Sequence, residues 1–298
     1  STIALMRGFT SSLLWSPMSI TLAVVLKSLP GVRWPWVLTI GAGIALLQLG
    51  FGWLIDRLTH PTPASGVPVF QSSERWTVFL FPAVLIAAIF FIGSGLENIY
   101  NVTLATGVMT GAPVVTLIWL ATQATKRPSV KIAPHMSRSL IRFAREVVPN
   151  YRMEVTILST AGFAGAVIAS FLKPEMVASA LEWSSTPAFL FPALVIAVVI
   201  IGGLLGLNAI ITVMILGGDL PDTAAFGVSP VILATAYLAA WGLTVGSSPV
   251  AMSTLIIGNL NQRSGATVGL AWNGIYTIVG FLTASIILGF AVSAGAFL

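Results

Sequence analysis

The chain has no cysteine and very little charge: only 8% of its 298 residues are Asp, Glu, Lys or Arg, against about 25% in an ordinary soluble domain. Without cysteine there are no disulfides and no thiolate metal sites. Histidine is almost absent too. His60 and His135 lie in polar loops, and neither has a carboxylate at metal-ligand spacing, so the His/Asp/Glu cluster of a membrane metalloenzyme is missing. No Gly-Lys-Ser/Thr phosphate loop occurs, which argues against an ATP-driven pump within this chain. Serine hydroxyls have no base placed to activate them. No catalytic residue and no metal ligand is assigned, and the expected class is not an enzyme.

What the chain does have is apolar sequence. Hydrophobic residues make up 56% and the mean hydropathy is +0.97, more than one soluble core can hide. Apolar runs cover Ile3–Leu26, Val37–Leu58, Trp76–Ile92, Val102–Ala121, Val155–Leu172, Ala188–Leu216, Val228–Ile257 and Val268–Phe297. At about 20 residues per crossing this gives seven or eight membrane elements. The alternation of a transmembrane barrel is absent, so the elements are expected to be helices.

Seven of the fourteen Lys and Arg residues fall between Lys126 and Arg152, which puts block 126–152 in the cytoplasm. The turn at Glu97, the acidic loop with Asp219 and Asp222, and the C-terminus then fall outside, provided Ala188–Leu216 enters and leaves on one side as a re-entrant hairpin. The basic residues lie in loops and read as topology, so no nucleic-acid partner is expected; the expected residence is a bacterial inner membrane. Asp56 and Arg57, at a helix end, read as interfacial anchors, and Glu154 as the acidic residue nearest a span. In "SLIRFAREVV", Leu140, Phe143 and Val147 share one face and Arg142, Arg145 and Glu146 the other, the pattern of a helix lying in the interface over 137–150.

Two stretches break the apolar pattern in the same way. "TVGSSPVAMST" carries Thr244, Gly246, Ser247, Ser248 and Pro249 in the middle of one run, and "SSLLWSPMSIT" carries Ser12, Ser16 and Pro17 in the middle of another. Setting Ser16-Pro17 on Ser248-Pro249 pairs Phe9 with Trp241, Ser12 with Thr244, Leu13 with Val245 and Met18 with Val250, an offset of 232. A proline has no N–H and clashes with the preceding turn, so each pair predicts a helix break. The charge pattern gives the two copies opposite orientations, the signature of an inverted repeat. The freed backbone groups need partners that hydrocarbon does not supply; hydroxyls, a bound cation or an anion can serve. Between the copies, "IIGGLLGLNAIIT" places Asn208 alone in an apolar run, where it acts as interhelical glue or as a ligand. The small-residue stretch Ser159, Thr160, Gly162, Gly165 reads as close helix packing.

These segments resemble the ion transporter superfamily, which includes the divalent anion/sodium symporters and the arsenite-efflux permeases. "GLNAIITVMILGG" stands where that group has a hairpin tip and second leg, "ATAYLAAWGLTVGSSPVAMSTLIIGN" where it has a broken helix, and "GLAWNGIYTIVGFLTASIIL" where it has a closing helix; "ALMRGFTSSLLWSPMSITLAVVLKSLPG" resembles the broken helix of the first repeat. The likeness covers about 130 residues at the level of pattern. Only Asn208 of the tip motif is kept, and each turn has one proline. The resemblance implies an all-α polytopic membrane bundle with discontinuous helices, a re-entrant hairpin and a partial inverted repeat. Residues 1–58 would be the C-terminal part of the first repeat, 59–75 a cytoplasmic linker and 76–298 the second repeat, with hairpin 187–217, broken helix 228–259 and closing helix 267–297; the first hairpin would lie upstream of Ser1. It further implies a secondary carrier of a small anionic solute, coupled to Na⁺ or H⁺ and without another cofactor, with Asn208, Thr244, Gly246, Ser247, Ser248, Pro249, Ser12, Ser16 and Pro17 around a midplane site. The expected partners are that solute and the bilayer, with a homodimer as the oligomer considered. A channel or a non-catalytic subunit of a larger membrane complex is the alternative reading.

Overall fold

A computed structural model describes residues 2–17, 19–29, 31–32, 34–59, 77–102, 104–125, 132–171, 187–219 and 227–296. The expected linker from 60 onward with His60, the basic residues Lys126, Arg127 and Lys131, the stretch "KPEMVASALEWSS" and the Asp222 loop lie outside the described residues, as do the side chains of His135, Glu154 and Asp219. Among the described residues every regular element is helical. Trp34–Thr59, Ala83–Tyr100, Gly274–Ser293 and the interrupted stretch Pro230–Leu260 are long and apolar enough to cross a membrane. These helices mark a membrane-embedded protein. Two further apolar helices, Thr106–Thr122 and Ala188–Leu204, are shorter.

The chain divides into two compact units, Pro63–Ile157 and a second built from Ser1–Thr62 with Leu158–Leu298. Helices are numbered in chain order. In the Pro63–Ile157 unit, α4 (Thr77–Tyr100) and α5 (Leu104–Thr125) form a helical hairpin that turns at Asn101, whose φ is 51°. Glu97 is therefore not in the turn, as expected from sequence, but in the last turn of α4. The pair crosses where glycines permit it: a Cβ on Gly107 would strike the Gly93 carbonyl oxygen, and one on Gly93 would lie 3.0 Å from the Val108 nitrogen. Small residues at a crossing are how helices approach in lipid. Helix α6 (Ile132–Arg142) runs on through a wide π-turn, Phe143–Val147, and a tight turn, Val148–Tyr151, to α7 (Arg152–Phe171). The expected interfacial helix thus begins five residues earlier than its sequence boundary at 137. The boundary between units falls inside α7.

The other unit holds α1 (Thr2–Ser12), α2 (Ile20–Ser28), α3 (Trp34–Thr59), a hairpin of α8 (Phe191–Leu204) and α9 (Ala209–Asp219), then α10 (Pro230–Ser247), α11 (Met252–Leu260), a π-turn at Thr267–Trp272 and α12 (Gly274–Ser293). Its centre is α10, buried at every residue from Ile232 to Leu243; a helix apolar on all sides belongs inside a bundle. Ser229 caps it by accepting the Ile232 N–H, and Pro230 fills the first position, where a missing N–H costs nothing.

Two glycines of α10 set its contact with the first break. A Cβ on Gly242 would lie 2.7 Å from the Thr10 carbonyl oxygen and 3.0 Å from Leu14, and one on Gly246 would lie 3.3 Å from the Thr10 methyl. Moving from Thr10 to Leu14 along α1 moves backward along α10, so the two helices are antiparallel. Helix α3 runs antiparallel to α1 by the same logic, with Gly52 against Arg7 and Gly41 against Leu14. On α12, Tyr276, Gly280, Ala284 and Leu288 are buried while Ile275, Ile278, Leu282, Ile286 and Phe290 are exposed, a three-four spacing that separates a packed stripe from an outer apolar one.

Candidate functional site

Both Ser-Pro pairs interrupt helices. Between α1 and α2 the chain leaves helical conformation over Leu13–Pro17 and at Ser19, and between α10 and α11 from Ser248 to Ala251. In an uninterrupted helix the residue at Pro17 would donate to Leu13 and the residue at Pro249 to Val245. Proline cannot, so both carbonyls need another donor. Ser253 Oγ donates to the Val245 oxygen at 2.6 Å; at the first break Thr21 Oγ1 stands 3.5 Å from the Leu13 oxygen but is closer to Ser19 Oγ, to which it donates at 2.9 Å. Each hydroxyl lies eight residues beyond its carbonyl, and Thr21 and Ser253 are themselves 232 positions apart.

The register repeats elsewhere. Helices α2 and α11 both have nine residues, and each end of α11 lies 232 positions after the matching end of α2. Gln48 Nε2 lies 3.5 Å from the Gly280 oxygen, a separation of 232, and Thr10 meets Gly242 at the same separation. Under that offset Leu14 against Gly242 becomes Gly246 against Thr10, and both contacts occur.

The hairpin tip joins the second break. Gly206, at φ 95°, turns the chain between α8 and α9, a conformation that suits glycine. Ser248 Oγ donates to the Gly203 oxygen at 2.7 Å. Thr244 packs so closely on Gly203 that an added Cβ would collide with its methyl. Asn208 sits at the tip, half-buried, and its Oδ1 accepts the Ile210 N–H at 3.1 Å, so it caps α9. Ser247 Oγ bonds back to the Leu243 oxygen, and Ser12 Oγ to that of Phe9. Thr254 Oγ1 lies 2.7 Å from the carbonyls of both Ser248 and Ala251 and donates to one of them. Thr244 Oγ1 and Thr212 Oγ1, by contrast, are buried without a hydrogen-bond partner. Thr244 is 3% exposed, and Thr212 Oγ1 lies 3.3 Å from where a Cβ on Gly202 would stand. Two orphan hydroxyls thus border adjacent glycines of the tip, in a chain that otherwise gives its break hydroxyls partners.

A second polar cluster went unread in the sequence. Arg7 is 3% exposed. Its Nη1 donates to Asp56 Oδ1 and to the Gly52 oxygen, both at 2.8 Å, its Nε to Asn273 Oδ1 at 3.0 Å and its Nη2 to the Trp272 oxygen at 3.1 Å. The guanidinium also lies 4.9 Å from the centre of the Tyr276 ring, whose hydroxyl shares a 2.9 Å hydrogen bond with Ser11 Oγ. Asp56 is therefore the ion-pair partner of a buried arginine, and the anchor reading of that residue is corrected. The available signal was Arg7 itself, one charge inside "IALMRGFTSS". A lone charge at membrane depth marks a paired or functional site by default. Among the described residues no group of three His, Cys, Asp or Glu side chains could hold a metal ion.

Comparison with protein-family models, with curated proteins and with solved structures returned no match.

Proposed function

We propose that the chain is part of a secondary active transporter that holds a small solute, and a coupling Na⁺ or H⁺, between the hairpin tip and the two helix breaks. The observation that carries this is the repetition of the breaks. At each break a hydroxyl eight residues downstream stands beside the carbonyl that proline leaves without a donor, bonded to it in the second copy and 3.5 Å away in the first, in antiparallel helices, at one offset. Two antiparallel copies of one broken helix are the architecture in which carriers place a midplane site.

The hairpin fits the same reading. The first leg has 17 residues, three in its opening tight turn and fourteen in α8, about 25 Å of helix, short of the roughly 30 Å hydrocarbon core. A hairpin entering and leaving on one side needs no more. Both breaks and the hairpin belong to one compact unit, and the Pro63–Ile157 unit contains neither. The transport step is then a shift of the site-bearing unit against a scaffold. Among the described residues no charged side chain stands at the tip or the two breaks, so an anionic solute such as a carboxylate would be held by backbone N–H groups and hydroxyls. In this reading the membrane is a bacterial inner membrane, with block 126–152 in the cytoplasm and the C-terminus outside.

Uptake by the full-length protein in proteoliposomes is the direct test, run across carboxylates and oxyanions with and without Na⁺ and pH gradients. Accumulation that follows one gradient is expected. Flux indifferent to every gradient would leave the channel reading standing instead.

Thr244→Val separates a site from mere packing. The substitution keeps the shape and removes a buried hydroxyl with no partner, whose burial costs about 1–3 kcal/mol. Stability in detergent is expected to stay level or rise, while uptake falls by about tenfold or more, the loss of one good ligand contact. Unchanged uptake would remove Thr244 from the site.

A further inference from the structure

Residues 132–151 form a nearly continuous helical segment with two unlike faces. Leu140, Phe143 and Val147 share one side and are exposed, Leu140 by 43% and Phe143 by 53%. Arg138, Arg142 and Arg145, spaced by four and three, share the opposite side and are exposed as well. Within the segment these three arginines face a single acid, Glu146. That acid is already engaged, 2.8 Å from Arg142 Nε. Its hydrogen bond and its charge hold the Arg142 guanidinium above the ordinary arginine range.

We propose that this segment docks on anionic phospholipid, with its apolar face among the acyl chains and its arginines on the headgroup phosphates. Charge complementarity selects this occupant. A zwitterionic surface offers a net charge of +2 nothing, whereas an anionic leaflet attracts each basic residue near it. Arginine matches phosphate in particular, because its planar fork donates two parallel hydrogen bonds to two oxygens. Among the described residues nothing covers Leu140, Phe143 and Val147, and Ile141 and Val148 beside them are exposed as well, an apolar side of the kind that lies in an interface. Both flanking helices are apolar, so the segment is tethered at both ends where a leaflet surface would be. The π-turn at Phe143–Val147 helps by widening the helix at the place where Phe143 and Val147 point the same way. The inference stands apart from the transport reading and holds whatever the chain carries.

Residues 1–298 hold no cysteine, so Leu140→Cys places one thiol in this stretch. Full-length protein with Leu140→Cys, labelled with an environment-sensitive fluorophore, is reconstituted into phosphatidylcholine vesicles containing increasing phosphatidylglycerol. Spin-labelled acyl chains serve as quencher. The expected result is blue-shifted, quenched emission that grows with phosphatidylglycerol and weakens in high salt. Each arginine removed is expected to weaken docking roughly fivefold, so the combined Arg138→Gln, Arg142→Gln, Arg145→Gln protein should need far more anionic lipid. Arg145→Gln alone gives the same direction should the triple variant fold poorly. Glu146→Gln, which adds a net positive charge, should dock at lower phosphatidylglycerol than the parent. Equal quenching in both lipids, or a triple variant indistinguishable from the parent, overturns the proposal. So does a label shielded from the quencher in every vesicle, which would mean that the face is covered by protein.

Discussion

Arg7→Met is expected to be the most damaging single substitution in the unit that holds the helix breaks, lowering stability by about 3–5 kcal/mol, the usual loss when one member of a buried ion pair is removed. Methionine fills much of the volume of the arginine stem, so the loss reports on polar contacts rather than on a cavity. It takes away four hydrogen bonds at once and leaves Asp56 a carboxylate without its counter-charge. Asp56 is 28% exposed, which places the expected loss toward the lower end of that range. Unfolding in mild detergent under increasing denaturant measures it. The double variant Arg7→Met, Asp56→Leu should recover part of the deficit, because replacing a whole buried pair by apolar residues is often neutral. A single variant within about 0.5 kcal/mol of the parent, the range of ordinary surface changes, would mean that the cluster does not hold the helices together.

The cluster also bears on the proposed site, through geometry. Arg7 lies on α1, five positions before the end of that helix, and its partners Asn273 and Trp272 close the π-turn that precedes α12. That turn packs directly on the second break: a Cβ on Gly269 would strike the Ser247 oxygen. One guanidinium thus ties the helix that leads into the first break to the turn that supports the second. Arg7→Lys would keep a charge for Asp56 but lose the fork that reaches Asn273 and Trp272 together. It is expected to fall between the parent and Arg7→Met in stability.

How much of this could be read from the chain depends on how local the cause is. The breaks were legible because proline acts on its own backbone: Ser16-Pro17 and Ser248-Pro249 each predict an interruption, and each interrupts a helix. The offset of 232 was legible as well, although the sequence pairing stopped at Met18 and Val250. The hydroxyls that extend it, Thr21 and Ser253, lie one turn further on and gain meaning only when the carbonyls they stand beside are seen. Asn208 was read as glue or ligand because an amide in an apolar run needs partners. It finds one two residues away, in the Ile210 N–H, a capping role that required the turn to be placed first. Arg7 and Asp56 were hardest. They are 49 residues apart and their other partner, Asn273, is 266 from Arg7. Near a helix end, a charge bound for water and a charge bound for a partner look the same in sequence.

Glycine offers the sharpest contrast between local and long-range causes, and the last expected result turns on two of them in α3. Gly41 and Gly43 are two residues apart in one helix. A methyl group on Gly43 meets nothing within 4 Å, whereas one on Gly41 would drive into the Leu14 carbonyl oxygen of the first break. Gly43→Ala should stabilise the helix by about 0.5–1 kcal/mol, the gain from removing a flexible residue from a helix interior. Gly41→Ala should instead cost about 1–3 kcal/mol, as overpacking does when the neighbour is backbone and has no rotamer to yield. Uptake is expected to follow the same division, since relief at Gly41 must come from moving either α3 or the Leu13–Ser19 segment that holds Ser16 and Pro17. Parallel unfolding and uptake measurements on the two variants check both halves. Equal effects from Gly41→Ala and Gly43→Ala would mean that α3 does not press on the break. Opposite signs would show that an irregular backbone inside an apolar bundle is held in place by close approach of other backbone, which hydroxyl repair of the orphaned carbonyls alone would not achieve.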